Sequence, residues 1–272
     1  MDKKSLTTRI ISASVFFIIF LLALLVSKYI FAAIFSAFMI ISMYEFFRFF
    51  DNKKYSPQKN FSYITALAIF VLLFFYGQQK IDVFWGSVVL GIILLFFVVE
   101  LFRNKPTPIE NIAISILSII YIAIPFSLFN LLAFNKYYDY KFNPELIFGF
   151  FVIIWATDIG AYMTGSLIGK HKLFKRISPK KTIEGTLGGF AFAFAAGFVI
   201  YKYLNFLSLE QAMIFAAIIT VFGTVGDLIE SMFKRSVGVK DSGKIMPGHG
   251  GLLDRFDSTI FSIPFVIIYL NF

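Results

Sequence analysis

Long apolar stretches run from one end of the sequence to the other, and they constrain the fold more than any other feature. A helix that crosses a bilayer needs about 20 mostly apolar residues. Nine stretches of this kind are present, with soft edges: 10–27, 29–47, 61–77, 81–99, 111–134, 145–168, 183–203, 210–230 and 258–271. They predict an all-α polytopic membrane protein with about nine transmembrane helices, the last of them near the lower length limit.

The composition argues against a soluble helical protein. Hydrophobic residues make up 58% and charged residues 15% of the 272 residues, whereas a soluble domain is about 45–50% apolar and about 25% charged. The first stretch lacks the cleavage site of a signal peptide, so we interpret it as a span. The chain has no cysteine and two histidines, so any metal would be held by oxygen ligands, as Mg²⁺ prefers.

The basic residues are distributed unequally between the two sides of the predicted membrane. With nine spans, 20 of the 25 Lys and Arg residues fall on the side of the N-terminus, and the positive side is cytoplasmic. This predicts a cytoplasmic N-terminus and an external C-terminus. We divide the chain into an N-terminal region, 1–135, and a C-terminal region, 136–272, with cytoplasmic loops at 169–182 and 231–257.

Asp158 lies inside the sixth stretch, about ten residues or about 15 Å from its cytoplasmic end. A carboxylate at the centre of a span costs roughly 2.5–3.5 kcal/mol on insertion scales. Two interpretations remain open, a structural carboxylate paired with a buried cation and a functional group. Gly160, Gly165 and Gly169 predict close packing of this helix against a neighbour.

The loop that follows contains the segment "SPKKTIEG", residues 178–185. Ser178 followed by proline predicts a helix start, with Ser178 as the N-cap. Lys180 and Lys181 would then lie in the first turn, where free N–H groups and positive charge form an anion site. The alternative is the basic flank that is typical of cytoplasmic loops. The neighbouring Glu184 favours a site.

Acidic and basic residues alternate around the Gly-rich loop near the C-terminus. Two predicted helical faces carry them at spacings of i, i+3, i+4, i+7 and of i, i+3: Asp227, Glu230, Ser231 and Lys234, then Asp254 and Asp257. Two acidic faces suit one or two divalent ions. The cations in the loop would repel a bare metal ion but would bind phosphates, so the pattern indicates a nucleotide or phosphoryl-transfer site. A solvated cytoplasmic loop is the alternative, and the packed "PGHGG" argues against it.

The stretch "SMFKRSVGVKDSGKIMPGHGGLLDRFD", residues 231–257, resembles the signature of the phosphatidate cytidylyltransferases, also called CDP-diacylglycerol synthases. The match runs over 27 positions without a gap. The segments "SPKKTIEG" and "DIGAY" and the body of many spans are also similar to the family. The resemblance implies that CTP and phosphatidic acid react to give CDP-diacylglycerol and pyrophosphate.

The resemblance also implies roles for individual residues at the cytoplasmic ends of the C-terminal helices. The expected metal is Mg²⁺, with a second ion left open, and its expected ligands are Asp227 and Asp254, with Asp257 and Glu230 as supporting or alternative ligands. The groups expected to contact the phosphates of CTP or pyrophosphate are Lys234, Arg235, Lys240, Arg255 and His249. A second phosphate site, for the lipid headgroup, is expected at Ser178, Lys180, Lys181 and Thr182. The remaining candidates for substrate binding are Asp158, Glu184, Ser231, Gly250 and Gly251.

The expected partners are CTP, phosphatidic acid and the lipid bilayer, without nucleic acid, and a homodimer is left open. The expected location is a bacterial inner membrane with the active site facing the cytoplasm. Three other classes of membrane protein are alternatives. A CDP-alcohol phosphotransferase needs a D-x-x-D-G-x-x-A-R motif that the sequence lacks. A CTP-dependent lipid kinase would release CDP, and a transporter would use Asp158 as an ion site.

Overall fold

The structure is a computed structural model that describes residues 3–50, 54–82, 84–204 and 206–271, with side chains from residue 7 onward. These residues are mostly helical. The helices are α1 Lys3–Leu25, α2 Lys28–Arg48, α3 Lys59–Gly77, α4 Phe84–Arg103, α5 Pro108–Ser118, α6 Ile124–Ala133, α7 Glu145–Ile168, α8 Ile183–Tyr203, α9 Leu209–Ser236 and α10 Leu253–Asn271. A π-helical turn, Ile119–Ala123, joins α5 to α6, and a 3₁₀ turn, Lys136–Tyr138, follows α6.

The helices confirm the prediction of an all-α polytopic membrane protein. Eight helical segments of the described residues are long and apolar enough to cross a membrane, with α5 and α6 counted as one segment. Helix α10 occupies the ninth predicted stretch, but it begins among charged residues and is not one of the eight. The count of nine spans and their orientation therefore stay predictions.

The described residues form two compact units. The first unit takes in the chain up to Phe142 together with Val239–Arg255, and the second takes in Asn143–Gly238 together with the rest of the chain from Phe256. The first unit thus contains α1 to α6 and the Gly-rich loop. The second contains α7 to α9 and most of α10. The boundary that we predict at residue 136 is not tested by this division and stays a prediction.

Aromatic side chains fill the interior of the first unit, while one polar cluster joins α3, α4 and α5. Phe35 and Phe129 are both buried, and their ring centroids lie 5.2 Å apart.

In the polar cluster, Glu100 accepts three hydrogen bonds. Its Oε2 accepts from Gln58 Nε2 and from Arg103 NH1, each at 2.7 Å. Its Oε1 accepts from Asn111 Nδ2 at 2.9 Å. Because the donors of these three hydrogen bonds all belong to this cluster, the buried charge is compensated locally.

Glycines allow α7 and α8 to pack closely in the second unit. A Cβ atom on Gly160 would lie 2.7 Å from the carbonyl oxygen of Gly188 and 2.7 Å from the Cβ of Phe192. A Cβ on Gly165 would lie 3.1 Å from Thr182 Oγ1. The close packing predicted at these glycines is therefore confirmed, and it brings the start of α8 against the end of α7.

Gly160→Ala should destabilise the protein, because its new methyl group would collide with the backbone of α8. Overpacking of this kind costs about 1–3 kcal/mol, which we expect to appear as a lower midpoint of thermal unfolding in detergent. Gly91→Ala in α4 is the matched control, since a Cβ there meets nothing within 4 Å and alanine favours the helix. Equal midpoints for the two variants would contradict the packing described here.

Candidate functional site

A cavity of about 370 Å³ opens in the second unit beside α7, α8 and the segment that precedes α8. Polar and charged groups line part of it: Asp158, Tyr162, Lys180, Lys181, Thr182 and Thr224. Small and apolar residues of α7, α8, α9 and α10 line the rest. The structure therefore brings Asp158 together with the lysines of the "SPKKTIEG" segment, which are separated from it by more than 20 residues in the sequence.

The segment before α8 is a β-strand, so the predicted helix start at Ser178 is wrong. Strand β2, Ser178–Thr182, pairs antiparallel with β1, Lys172–Phe174. Helix α8 begins at Ile183, and Thr182 is its N-cap, with Thr182 Oγ1 accepting from the N–H of Gly185 at 3.1 Å. Thr182, four residues beyond Ser178, thus supplies the cap. Ser178 itself precedes a proline, and that position disfavours helical backbone angles.

The correction changes how the two lysines are presented. Lys180 and Lys181 project from a strand and still border the cavity, together with Thr182 at the N-terminus of α8. Ser178 does not line this cavity. Positive charge and a helix N-terminus therefore remain side by side, as an anion site requires.

Glu184 in the first turn of α8 contacts the hairpin. Its carboxylate accepts from the N–H of Lys170 at 3.1 Å and from the N–H of His171 at 3.2 Å, and Oε1 lies 2.6 Å from His171 Nδ1. These bonds tie the chain that leaves α7 to the start of α8. They account for Glu184 without a substrate, and its predicted part in substrate binding stays a prediction.

Asp227 of α9 is the acidic partner of a cavity lysine. Its Oδ2 forms an ion pair with Lys181 Nζ, and its Oδ1 accepts from Ser231 Oγ at 3.3 Å. The side chains of Asp227 and Lys181 are 28% and 29% exposed, so both can still reach a ligand. The i, i+4 spacing predicts the Asp227–Ser231 contact, whereas the partner lysine lies 46 residues earlier in the sequence.

Three further charged residues of the second unit, Glu230, Lys234 and Asp257, lie near one another on α9 and α10. Lys234 Nζ donates to Glu230 Oε2 at 2.9 Å, and both residues are buried. The carboxylate of Asp257 lies near enough to Glu230 and Asp227 to interact electrostatically with both. The second unit thus brings three of the four predicted metal ligands near one another as an acidic cluster, in which Lys234 is paired with Glu230.

The Gly-rich loop of the first unit is organised around the carboxylate of Asp254. Asp254 Oδ2 accepts from the N–H of Ser242 at 2.9 Å, from Ser242 Oγ at 2.9 Å and from the N–H of Gly251 at 2.8 Å. Gly248 and Gly250 have φ values of +77° and +88°, which L-residues with side chains rarely adopt. The "PGHGG" turn therefore depends on its glycines, and Gly250 and Gly251 shape the backbone around Asp254.

A second cavity, of about 610 Å³, lies in the first unit and is basic. Its charged lining consists of Arg9, Lys240, Asp241, Lys244 and Arg255, with His249 beside them. Four cations against one carboxylate make this surface suitable for a polyanion such as a triphosphate. Lys240, Arg255 and His249 are thus brought together as the sequence predicts, and Arg235 lies outside this unit, exposed at the end of α9.

His249 is held in place by the N-terminal helix. Its Nδ1 lies 2.8 Å from Ser12 Oγ, and Ser12 Oγ is 2.9 Å from the carbonyl oxygen of Pro247. Burial, and then the positive charges of Arg255 and Arg9, lower the pKa of His249 below its ordinary value. His249 is therefore neutral at pH 7, and a bound anion would favour its protonated, hydrogen-bond-donating form.

The sequence profile of the Cytidylyltransferase family matches residues 7–272. The chain belongs to the cytidylyltransferase family. It is 50% identical over 121 residues to a phosphatidate cytidylyltransferase of Staphylococcus haemolyticus, covering 44% of this chain and 46% of that protein. It is 36% identical over 214 residues to a phosphatidate cytidylyltransferase of Staphylococcus epidermidis, covering 76% of this chain and 78% of that protein. The first of these matches therefore spans about half the length of the relative.

The carboxylates predicted as metal ligands supply the oxygen donors that a hard divalent cation prefers, although no preformed metal site is present in the part of the chain that the structure describes. No group of three or more His, Cys, Asp or Glu side chains there could hold a metal ion. Asp257 nevertheless lies near Asp227 and Glu230, and carboxylate oxygens are the ligands that a hard divalent cation prefers. Magnesium binding by these residues stays a prediction.

Two residues that contact the Gly-rich loop, Arg9 and Glu45, are absent from the site residues predicted from the sequence. Arg9 precedes the first predicted span and lines the basic cavity. Glu45 is fully buried, in α2. The signal for Glu45 was available, because an acidic residue inside an apolar span is expensive and is typically functional or paired.

Proposed function

We propose that this protein transfers the cytidylyl group of CTP to phosphatidate, giving CDP-diacylglycerol and pyrophosphate. The observation that carries the proposal is the cavity of the second unit, where Lys180, Lys181 and the N-terminus of α8 form an anion site between apolar helices. A lipid phosphate needs this combination, because its headgroup is charged and its acyl chains stay among apolar surfaces. The names of the relatives support the same substrates.

In the proposed reaction the phosphate of phosphatidate is the nucleophile. One of its oxygens forms a bond to the α-phosphorus of CTP, and the bond from the α-phosphorus to the oxygen that bridges to the β-phosphorus breaks. That electron pair leaves with pyrophosphate. No protein nucleophile is needed, and no base is needed because the attacking phosphate is already ionised.

The main barrier to this reaction is repulsion between two anions, and the protein's cations reduce it. Lys180 and Lys181 bind the phosphate of phosphatidate and hold it in a reactive orientation. Lys240, Lys244 and Arg255 bind phosphates of CTP, and neutral His249 can accept or donate one further hydrogen bond. Lys234, which is paired with Glu230, balances the acidic cluster.

We include Mg²⁺ in this proposal as the cofactor. The carboxylates that would hold it are those predicted from the sequence, Asp227 and Asp254, with Asp257 and Glu230 in support. When bound, a divalent ion supplies positive charge to the phosphates of CTP.

We also propose that the active site faces the cytoplasm of a bacterial inner membrane, because the positive-inside rule assigns the loops that carry these residues to that side. The homodimer stays a prediction.

A turnover assay with purified protein, CTP and phosphatidate tests the proposal. With label on the α-phosphate of CTP, we expect label in the lipid product and release of one pyrophosphate for each lipid formed. Transfer of the γ-phosphate with release of CDP would instead show a lipid kinase. Flux of a solute across sealed vesicles without consumption of CTP would show a transporter, and either result would overturn the proposal.

A further inference from the structure

Glu45 is a buried carboxylate that the proposed reaction does not use directly. It lies in α2 within the apolar stretch "SMYEFFRFF" and is 0% exposed. A charge in such a place is expensive unless hydrogen bonds compensate it. Two of its hydrogen-bond partners are about 200 residues later in the sequence, in the Gly-rich loop, so Glu45 joins the N-terminal helices to the signature segment within the first unit.

These partners are the start of α10 and the serine beside Asp254. Glu45 Oε2 accepts from the N–H of Leu253 at 2.8 Å and from Ser242 Oγ at 3.1 Å. Leu253 is the first residue of α10, and a carboxylate at a helix N-terminus is stabilising because the N–H groups there lack helical partners. Glu45 therefore caps α10 from another helix.

Two glycines of the loop make room for this carboxylate. A Cβ atom on Gly243 would lie 2.1 Å from Glu45 Oε1, and a Cβ on Gly251 would lie 2.5 Å from Glu45 Oε2. Any side chain at either position would therefore displace the carboxylate or the loop. The glycines of the signature segment thus serve the insertion of Glu45 as well as the tight turn.

Ser242 links Glu45 to Asp254. Its hydroxyl lies 3.1 Å from Glu45 Oε2 and 2.9 Å from Asp254 Oδ2, and its N–H donates to the same Asp254 oxygen. Because a hydroxyl has one proton, the two carboxylates compete for it. The position of Glu45 therefore affects how Asp254 is held, at the base of the loop that carries the basic cavity.

We propose that Glu45 is a positioning residue: its carboxylate fixes the start of α10 and Ser242, and through Ser242 it sets the orientation of Asp254 and of the loop cations. The inference rests on the proposed function for its effect on catalysis. The structural part, that Glu45 holds the loop, stands independently and can be measured without any substrate.

The test compares Glu45→Ala, Glu45→Gln and Glu100→Gln in purified full-length protein. Limited trypsin digestion without substrates, followed by mass spectrometry, measures cleavage after Lys240 and Lys244. We expect Glu45→Ala to speed this cleavage by about tenfold or more, because two buried hydrogen bonds to a charged group are lost. The cleavage rate of Glu45→Gln should lie between those of Glu45→Ala and wild type, because the amide oxygen can replace Oε2 and accept from Leu253 and Ser242, while the negative charge is lost.

Glu100→Gln is the matched control, since Glu100 is also buried in the first unit but its partners lie in α3, α4 and α5. It should lower thermal stability without faster cleavage of the loop. With CTP and phosphatidate, Glu45→Ala should raise the KM for CTP by about tenfold, with a smaller effect on kcat and partial rescue in Glu45→Gln. Ser242→Ala, which removes the link but keeps the bond to Leu253, should reproduce the effect on KM.

Cleavage of Glu45→Ala at the wild-type rate would overturn the inference, as would equal acceleration by Glu100→Gln. If Glu45→Ala cannot be purified, the comparison of Glu45→Gln and Ser242→Ala with wild type decides, and unchanged cleavage and KM in both would refute it. A wild-type protein that forms no CDP-diacylglycerol would refute the proposed function instead, while the digestion experiment would still decide whether Glu45 holds the loop.

Discussion

Asp227→Asn should lower the turnover of CTP and phosphatidate by about 10²–10³-fold while the protein still inserts and purifies. The substitution keeps the shape of the side chain, and its amide oxygen can still accept from Ser231. It removes the negative charge that pairs with Lys181 and the anionic oxygen that a divalent ion requires. The loss should therefore fall on catalysis rather than on folding.

Glu210→Gln is the control for this variant, because Glu210 is an exposed carboxylate in the first turn of the same helix. It should leave turnover within about twofold, and the free energy of unfolding within about 1 kcal/mol, of the wild-type values. The decisive measurement is the initial rate of lipid labelling over a range of Mg²⁺ concentrations. Near-normal rates for Asp227→Asn would remove Asp227 from the site and with it the metal assignment.

The helices could be predicted from the sequence because their signal is local. Within the part of the chain that the structure describes, the nine apolar stretches are mostly helical, since about 20 consecutive apolar residues leave few other ways to satisfy backbone hydrogen bonds in a bilayer. The C-terminal end of α9 was predicted less accurately. The predicted loop begins at residue 231, whereas α9 continues to Ser236, because Phe233, Lys234 and Arg235 are compatible with a helix and nothing before Gly238 stops it.

The hairpin before α8 could not be predicted in the same way. Ser178 followed by proline has the local pattern of a helix start, but the backbone of β2 instead bonds to β1 across a turn. The competing cap, Thr182, lies four residues later, against Gly165 of α7 and Gly169 just after it. A contact between segments thus overrides a local preference, and a sequence read residue by residue does not show which of two caps the tertiary structure will use.

The candidate site shows the same division between local and distant signals. The spacing of Asp227 and Ser231 predicts their contact, and the acidic cluster with Glu230 and Lys234 follows from one helical face. The pairing of Asp227 with Lys181 and the insertion of Glu45 into the loop depend on chain segments 46 and about 200 residues apart. Such pairs become visible only when the fold brings the segments together.

Lys181→Met should reduce kcat/KM for phosphatidate by about 10²-fold, with a rise in KM for the lipid and a fall in kcat. Methionine keeps an unbranched side chain of similar length but loses the charge that would bind the lipid phosphate and that pairs with Asp227. Lys175→Met is the control on the same hairpin, because Lys175 is exposed in the turn between β1 and β2 and does not line the cavity.

The double variant Lys181→Met, Asp227→Asn distinguishes two roles for the lysine. If Lys181 acts mainly by orienting Asp227, the double variant should be no slower than Asp227→Asn alone, because groups that act as a unit give non-additive losses. If Lys181 binds the lipid phosphate independently, the two losses should multiply, and the rise in KM for phosphatidate should persist in the double variant. We expect the second result, because the 29% exposure of the Lys181 side chain leaves its ammonium group accessible from the cavity. A KM for phosphatidate that is unchanged in Lys181→Met would contradict the assignment of this cavity to the lipid headgroup.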